Sequence, residues 1–188
     1  MKEENIEIRW HGRGGQGTIT AARIVAKAAL RVGYTGVVMI PSFGTERRGA
    51  PVLTSLKISR EKIYDLSEIE YPDIVVVLDH LLLDDINVTE GLKEGGILVI
   101  NTPRSPHDYK YSGVKVATAD VTAIAGEVGV TYGLVSSGII GAFARASSLV
   151  GIHILTDVIK EELKERRPEE NAQAATITYE RTICSEVD

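Results

Sequence analysis

Ile6-Glu7-Ile8-Arg9-Trp10-His11-Gly12-Arg13-Gly14-Gly15-Gln16-Gly17-Thr18-Ile19-Thr20-Ala21-Ala22 is the stretch that decides the fold class of this 188-residue chain. Ile6, Ile8 and Trp10 alternate with polar residues at the period of a strand that buries one face. Glycines follow at once, and Thr18 to Val32 is rich in alanine and other small residues, as a packed helix requires. Gly33 suits a helix C-terminus, and Gly36 to Ile40 is a second apolar run. The opening therefore reads as a strand–helix–strand crossover, which predicts a parallel sheet in that region.

Working outward, Pro51 to Ser59 alternates again through Val52, Thr54, Leu56 and Ile58. Ile74 to Leu78 and Ile97 to Ile100 are continuous apolar runs of the kind buried on both sheet faces, so they are central-strand candidates. Val114 to Ala117 adds a strand, and Asp120 is placed to cap a helix running to about Val128, with Gly129 just beyond. Helical patterns over Ser137–Val150, Ile154–Arg166 and Glu169–Arg181 finish the chain. Pro103 to Tyr111 has the composition of a surface loop. The mixed charges from Lys160 to Glu170 read as a solvated helical face. The expected architecture is α/β: a single Rossmann-like three-layer domain over residues 1–188, with a mostly parallel sheet, helices on both faces and a helical C-terminal part.

Composition narrows the function. A net charge of -5 argues against a nucleic-acid binder, which needs a basic surface. No apolar run is long enough to cross a bilayer and Met1-Lys2-Glu3-Glu4 opens no signal pattern, which predicts a cytoplasmic protein without membrane contact. The single cysteine, Cys184, rules out an internal disulfide and a cysteine-ligated iron–sulfur cluster. His11, His80, His107 and His153 have no metal-ligand spacing, so no metal site and no catalytic residue is assigned.

Gly12-Arg13-Gly14-Gly15-Gln16-Gly17 satisfies G-x-G-x-x-G between a strand and a helix, the context that gives the pattern meaning. Glycines let a ligand approach the backbone, and the first N–H groups of the helix point at an anion. A dinucleotide site normally carries an acid about 20 residues on, whereas this chain has Met39, Ile40, Pro41 and Ser42. A P-loop would need lysine where Thr18 stands. The turn is either a ligand or interface contact, or a tight turn whose glycines serve packing alone. The loop Pro41–Pro51 should lie beside it, because loops leaving strand C-termini line the crevice of an open α/β sheet. There Arg47 and Arg48 are suited to clamp phosphate or carboxylate, unless one simply pairs with Glu46.

The segments His11–Ala22 (HGRGGQGTITAA), Pro41–Val52 (PSFGTERRGAPV), Pro72-Asp73 and Gly91–Thr102 (GLKEGGILVINT), with Gly138–Ala144 (GIIGAFA), resemble the gamma subunits of 2-oxoacid:ferredoxin oxidoreductases over nearly the whole chain. Arg47-Arg48-Gly49-Ala50-Pro51 is similar to the pyruvate branch, or pyruvate synthase type; 2-oxoglutarate relatives tend to carry Ala-Arg-Gly-Gly there. The resemblance implies a complex of alpha, beta, gamma and delta-type subunits. It decarboxylates a 2-oxoacid on thiamine diphosphate with Mg2+, passes electrons through [4Fe–4S] clusters to ferredoxin and transfers the acyl group to coenzyme A. It implies that this chain binds none of the redox cofactors. Gly12, Arg13, Gly14, Gly15, Gln16, Gly17, Ser42, Arg47 and Arg48 would then face the coenzyme A approach or a subunit interface. Two other readings stand beside it: a free-standing NAD- or FAD-binding oxidoreductase, and a non-catalytic nucleotide- or coenzyme A-binding module.

Overall fold

The computed structural model describes residues 5–41, 49–130 and 135–186. Its strands are β1 (Ile6–Arg13), β2 (Gly36–Pro41), β3 (Pro51–Ser59), β4 (Ile74–Val77), β5 (Ile97–Asn101), β6 (Lys115–Ala119) and β7 (Ile183–Cys184). The helices are α1 (Thr18–Arg31), α2 (Leu82–Asp85), α3 (Val121–Glu127), α4 (Ser136–Ser147), α5 (Ile152–Glu162) and α6 (Pro168–Arg181). One seven-stranded sheet has the order β2-β3-β1-β4-β5-β6-β7.

The parallel pairing expected near the N-terminus needs correction. β1 and β2 do run in the same direction, but β3 lies between them and pairs antiparallel with both. The chain leaving β2 turns back as β3 along β2, and β3 then fills the slot beside β1, so α1 crosses over two strand positions. Alternation in Pro51–Ser59 reports a strand with one buried face; it carries no information about which strand is its neighbour. β1, β4, β5 and β6 pair in parallel, so five of the seven strands point one way and β3 and β7 oppose them.

The two halves of the sheet bury their residues differently. On the antiparallel side Ile8, Trp10, Leu56 and Ile58 face one apolar cluster, while Glu7, Arg9 and Lys57 occupy the other face. In the parallel half both faces are apolar: Ile74 and Val76 join the first cluster, whereas Val75 and Val77 join Leu98, Ile100 and Val116 in a second. This is why β4 and β5 read as unbroken hydrophobic runs.

The helical layers are unequal. Residues of α1, α3, α4, α5 and α6 all belong to the first cluster; the second face carries the four-residue α2 and the connections around Val88 and Tyr109. The expected loop at 103–111 contains a 3-10 turn, Pro106–Asp108, capped reciprocally by Ser105 and Asp108. Asp120 caps α3 by accepting from the Ala123 N–H at 2.9 Å, as its position predicts. Trp10 stacks obliquely on Phe143, ring centroids 5.4 Å apart, which pins α4 to β1. α4 packs on α6 through Gly141: a Cβ there would fall closer than 3.0 Å to the Ala175 carbonyl oxygen. The charged run around residue 162 is more than a solvated face, because Glu162 accepts from Arg23 at 2.6 Å and from Lys27, and Glu161 pairs with Arg31, joining α5 to α1. Among the described residues no helix is long and apolar enough to cross a membrane.

Candidate functional site

β1 and β4 are parallel neighbours, but the chain leaves β1 toward β2 on one side and reaches β4 only after returning along β3. Such a reversal is where open α/β sheets place their ligand crevice, here at the C-terminal ends of β1 and β4. The Gly12–Gly17 turn lies there. Gly15 (φ 96°) and Gly17 (φ 85°) hold left-handed backbone that other residues adopt only with strain. The Arg13 N–H donates to Gln16 Oε1 at 2.7 Å, and the Gln16 N–H returns to the Arg13 carbonyl at 3.0 Å. The turn also pairs with the loop expected beside it: Gly14 N–H donates to the Ala50 carbonyl at 2.9 Å, and Gly49 N–H to the Gly14 carbonyl at 3.1 Å.

Two helices start at this turn. Gly17 caps α1, and a Cβ on it would lie 2.8 Å from Ser136 Cβ, so the first residue of α4 sits directly against it. Among the described residues neither α1 nor α4 has a side-chain cap, and neither has an acidic residue in its first turn. Their leading N–H groups and the positive ends of two helix dipoles therefore converge on one point. Thr18 is buried with its hydroxyl against Gly12, and that hydroxyl has no hydrogen-bond partner among the described residues.

Arg13, grouped with the turn residues in the sequence, is engaged in two ion pairs. Its Nε donates to Asp79 Oδ2 at 3.0 Å and an Nη donates to Asp85 Oδ2 at 2.7 Å, which together raise its pKa, Asp85 more than Asp79. Gln16 Nε2 also reaches Asp79 at 3.3 Å, and Asp79 accepts from the Leu81 N–H at 3.0 Å. Arg13 and Gln16 thus hold the turn to the end of β4. Ser42, Arg47 and Arg48 lie outside the described residues.

Two residues that sequence reasoning passed over position the crevice. Asp79 is 66 residues from Arg13, and no local pattern marks it as the partner. Asn101, buried at the end of β5, donates to the Leu78 carbonyl at 2.9 Å and to the Thr122 hydroxyl at 3.0 Å, while its Oδ1 accepts from the Val121 N–H at 2.9 Å. It fastens β4, β5 and the start of α3 together; its place in the Ile-Asn-Thr ending of a buried strand was the available signal. His11, beside the turn on β1, is 7 % exposed and its Nε2 has no partner among the described residues. Burial, with a smaller contribution from Arg9, lowers its pKa to about 4, so it is neutral at physiological pH. Among the described residues no cluster of His, Cys, Asp and Glu is arranged to hold a metal ion.

The pyruvate/ketoisovalerate oxidoreductases common subunit gamma of Thermococcus kodakarensis is 42 % identical over 186 residues, covering 97 % of this chain and 100 % of that one. The crystal structure of pyruvate oxidoreductase subunit PORC from Thermotoga maritima superposes with a TM-score of 0.81 at 32 % identity, covering 98 % of this chain and 100 % of the other. A 2-oxoglutarate:ferredoxin oxidoreductase from Magnetococcus marinus, solved with 2-oxoglutarate, coenzyme A and succinyl-CoA bound, contains the same fold. There the TM-score is 0.67 at 21 % identity, and the match takes in 96 % of this chain but 30 % of that longer one. The family model described as pyruvate ferredoxin/flavodoxin oxidoreductase matches residues 7–181, and the chain belongs to that family.

Proposed function

We propose that this chain is the gamma-type subunit of a 2-oxoacid:ferredoxin oxidoreductase of the pyruvate synthase type, residues 1–188 acting as one domain. The observation that carries the site reading is the convergence on the Gly12–Gly17 turn of two helix N-termini that have no side-chain cap among the described residues. Coenzyme A presents phosphates, and such a turn favours a phosphate through N–H groups and dipoles. The Magnetococcus marinus relative, described with coenzyme A bound, supports the same ligand. Arg13 and Gln16 shape the turn and leave the charge-assisted contacts to Arg47 and Arg48, with Ser42 at the start of their loop. The name of the Thermococcus kodakarensis relative makes it common to pyruvate and ketoisovalerate enzymes, which supports placing the choice of 2-oxoacid in another subunit.

The redox chemistry falls to the alpha, beta and delta-type partners. One cysteine cannot ligate a four-cysteine cluster, and no Gly-Asp-Gly turn for thiamine diphosphate and Mg2+ occurs in the sequence. The partners would hold those groups and deliver electrons to ferredoxin. A free-standing NAD or FAD enzyme is disfavoured because Asp79, the acid adjoining the turn, is committed to Arg13, Gln16 and the Leu81 N–H rather than open to a ribose.

The test is the double variant Arg47→Ala/Arg48→Ala in the assembled enzyme. Loss of a charge-assisted contact is worth about 1.5–3 kcal/mol, so the KM for coenzyme A should rise about ten-fold or more while decarboxylation on thiamine diphosphate continues. Unchanged coenzyme A dependence refutes the phosphate role. Failure to assemble assigns the two arginines to a subunit interface instead.

A further inference from the structure

After β3 the chain crosses the second face of the sheet as an extended strap, residues 60–71, before entering β4. Lys57, buried in β3, fastens it: the ammonium donates to Asp65 Oδ2 at 2.7 Å and to Ser67 Oγ at 3.3 Å, and lies 3.6 Å from Glu7. Asp65 in turn accepts from the Ser67 N–H and hydroxyl, both at 2.9 Å. The ends are packed close. The Glu61 carbonyl lies against Gly36 and the Glu70 carbonyl against Gly91, each where a Cβ would not fit, and Ile69 is buried between them. With Asp65 and Ser67 turned to Lys57, the alternate residues are left outside: Tyr64 is 85 % and Leu66 67 % exposed, with Tyr71 at 62 %.

Burying a lysine carries a desolvation cost that the network around it must offset, and here the network's effect is to immobilise a segment whose apolar side chains face solvent. Apolar and aromatic anchors held in place before binding lose little entropy on docking, which is the character of interface hot spots. With Asp65 paired to Lys57, the other exposed charges of the strap are Glu61, Glu68 and Glu70 against Arg60 and Lys62, a small excess of acid, and Arg60 is engaged over the Tyr34 ring at 4.8 Å. We infer that the strap seats Tyr64 and Leu66 in an apolar, basic-rimmed cleft of a partner subunit of the oxidoreductase. The inference rests on the gamma-subunit reading.

The experiment compares complexes assembled around the full-length wild-type chain, Tyr64→Ser/Leu66→Ser, and Lys57→Met, with retention of the chain followed by native mass spectrometry across a dilution series. Thermal unfolding of each isolated chain checks that the surface double variant folds as wild type does. The dissociation constant of Tyr64→Ser/Leu66→Ser should rise about ten-fold or more, Lys57→Met should move it in the same direction, and added salt should weaken the wild-type complex. Equal retention of wild type and double variant overturns the inference while leaving the subunit reading intact. A wild-type chain that captures no partner subunit overturns both. Self-association of the isolated chain that the double variant abolishes replaces the partner subunit with a second copy, and salt-independent assembly removes the basic rim.

Discussion

Gly12–Gly17 and Gly138–Gly141 both read as glycine motifs, and the chain uses the missing Cβ differently in each. In the turn, Gly15 and Gly17 supply left-handed backbone, and what crowds Gly12 and Gly17 is side chain: the Thr18 hydroxyl and the Ser136 Cβ and Oγ. In α4 the glycines have ordinary helical backbone; Gly138 meets the Val121 side chain, but Gly141 meets the Ala175 carbonyl and the Tyr179 nitrogen, which are main chain of α6. A side chain rotates or can be trimmed; a backbone carbonyl inside a packed helix cannot. The first region is built to leave helix ends open, the second to bring two helices together.

The largest effect should come from Gly141→Ala. Separating α4 from α6 disturbs the main apolar cluster, and overpacking of this kind costs about 3 kcal/mol, read as a fall in urea midpoint with unchanged slope. No single side-chain truncation on α6 should restore it. An effect within about 0.5 kcal/mol of wild type would mean that the helices are not in close contact.

Acid should act on the crevice end rather than on the helix pair. The pKa of His11, about 4 in the fold, lies below its ordinary value of 6.5, so the unfolded chain takes up its proton first as pH falls. The contribution is therefore fully present above about pH 6.5 and is lost as pH drops toward 4. It amounts to about 2 kcal/mol between pH 7.5 and 5, and His11→Phe should flatten that part of the stability profile. Gly141→Ala should instead lower the whole profile. A wild-type profile without this slope would contradict the burial of a neutral imidazole beside the turn.

Gly12→Ala should be the mildest, at about 1–2 kcal/mol, because the obstacle is one hydroxyl without a hydrogen-bond partner among the described residues. Thr18→Ala added to it should recover most of the loss, a coupling visible in a double-mutant cycle. If the two effects simply add, the contrast between side-chain and backbone obstacles fails.

Much of this was legible in the sequence. The buried strands β4 and β5 announced themselves as unbroken apolar runs, and Asp120 marked the start of α3, because both signals are local. Strand adjacency is not local: the alternation in Pro51–Ser59 is the same whether β3 lies outside β2 or between β2 and β1. Charge pairing is equally hidden. Arg13 was grouped with the turn residues without a partner until the fold brought Asp79 and Asp85 to it, and Glu162 looked solvated until α5 lay along Arg23 and Lys27. The two-residue β7 is too short for periodicity to register. At the candidate site the glycine turn was visible, whereas the arrival of the α4 N-terminus at Gly17 depends on the 118 residues between Gly17 and Ser136 folding first.

The most direct measurement is anaerobic purification of the chain from its native cells through a tag on its C-terminus. The account predicts stoichiometric recovery with partner subunits that carry thiamine diphosphate and iron–sulfur clusters, and coenzyme A-dependent oxidation of a 2-oxoacid by the assembly. Recovery of the chain alone and monomeric, or with iron bound to the chain itself, would contradict it.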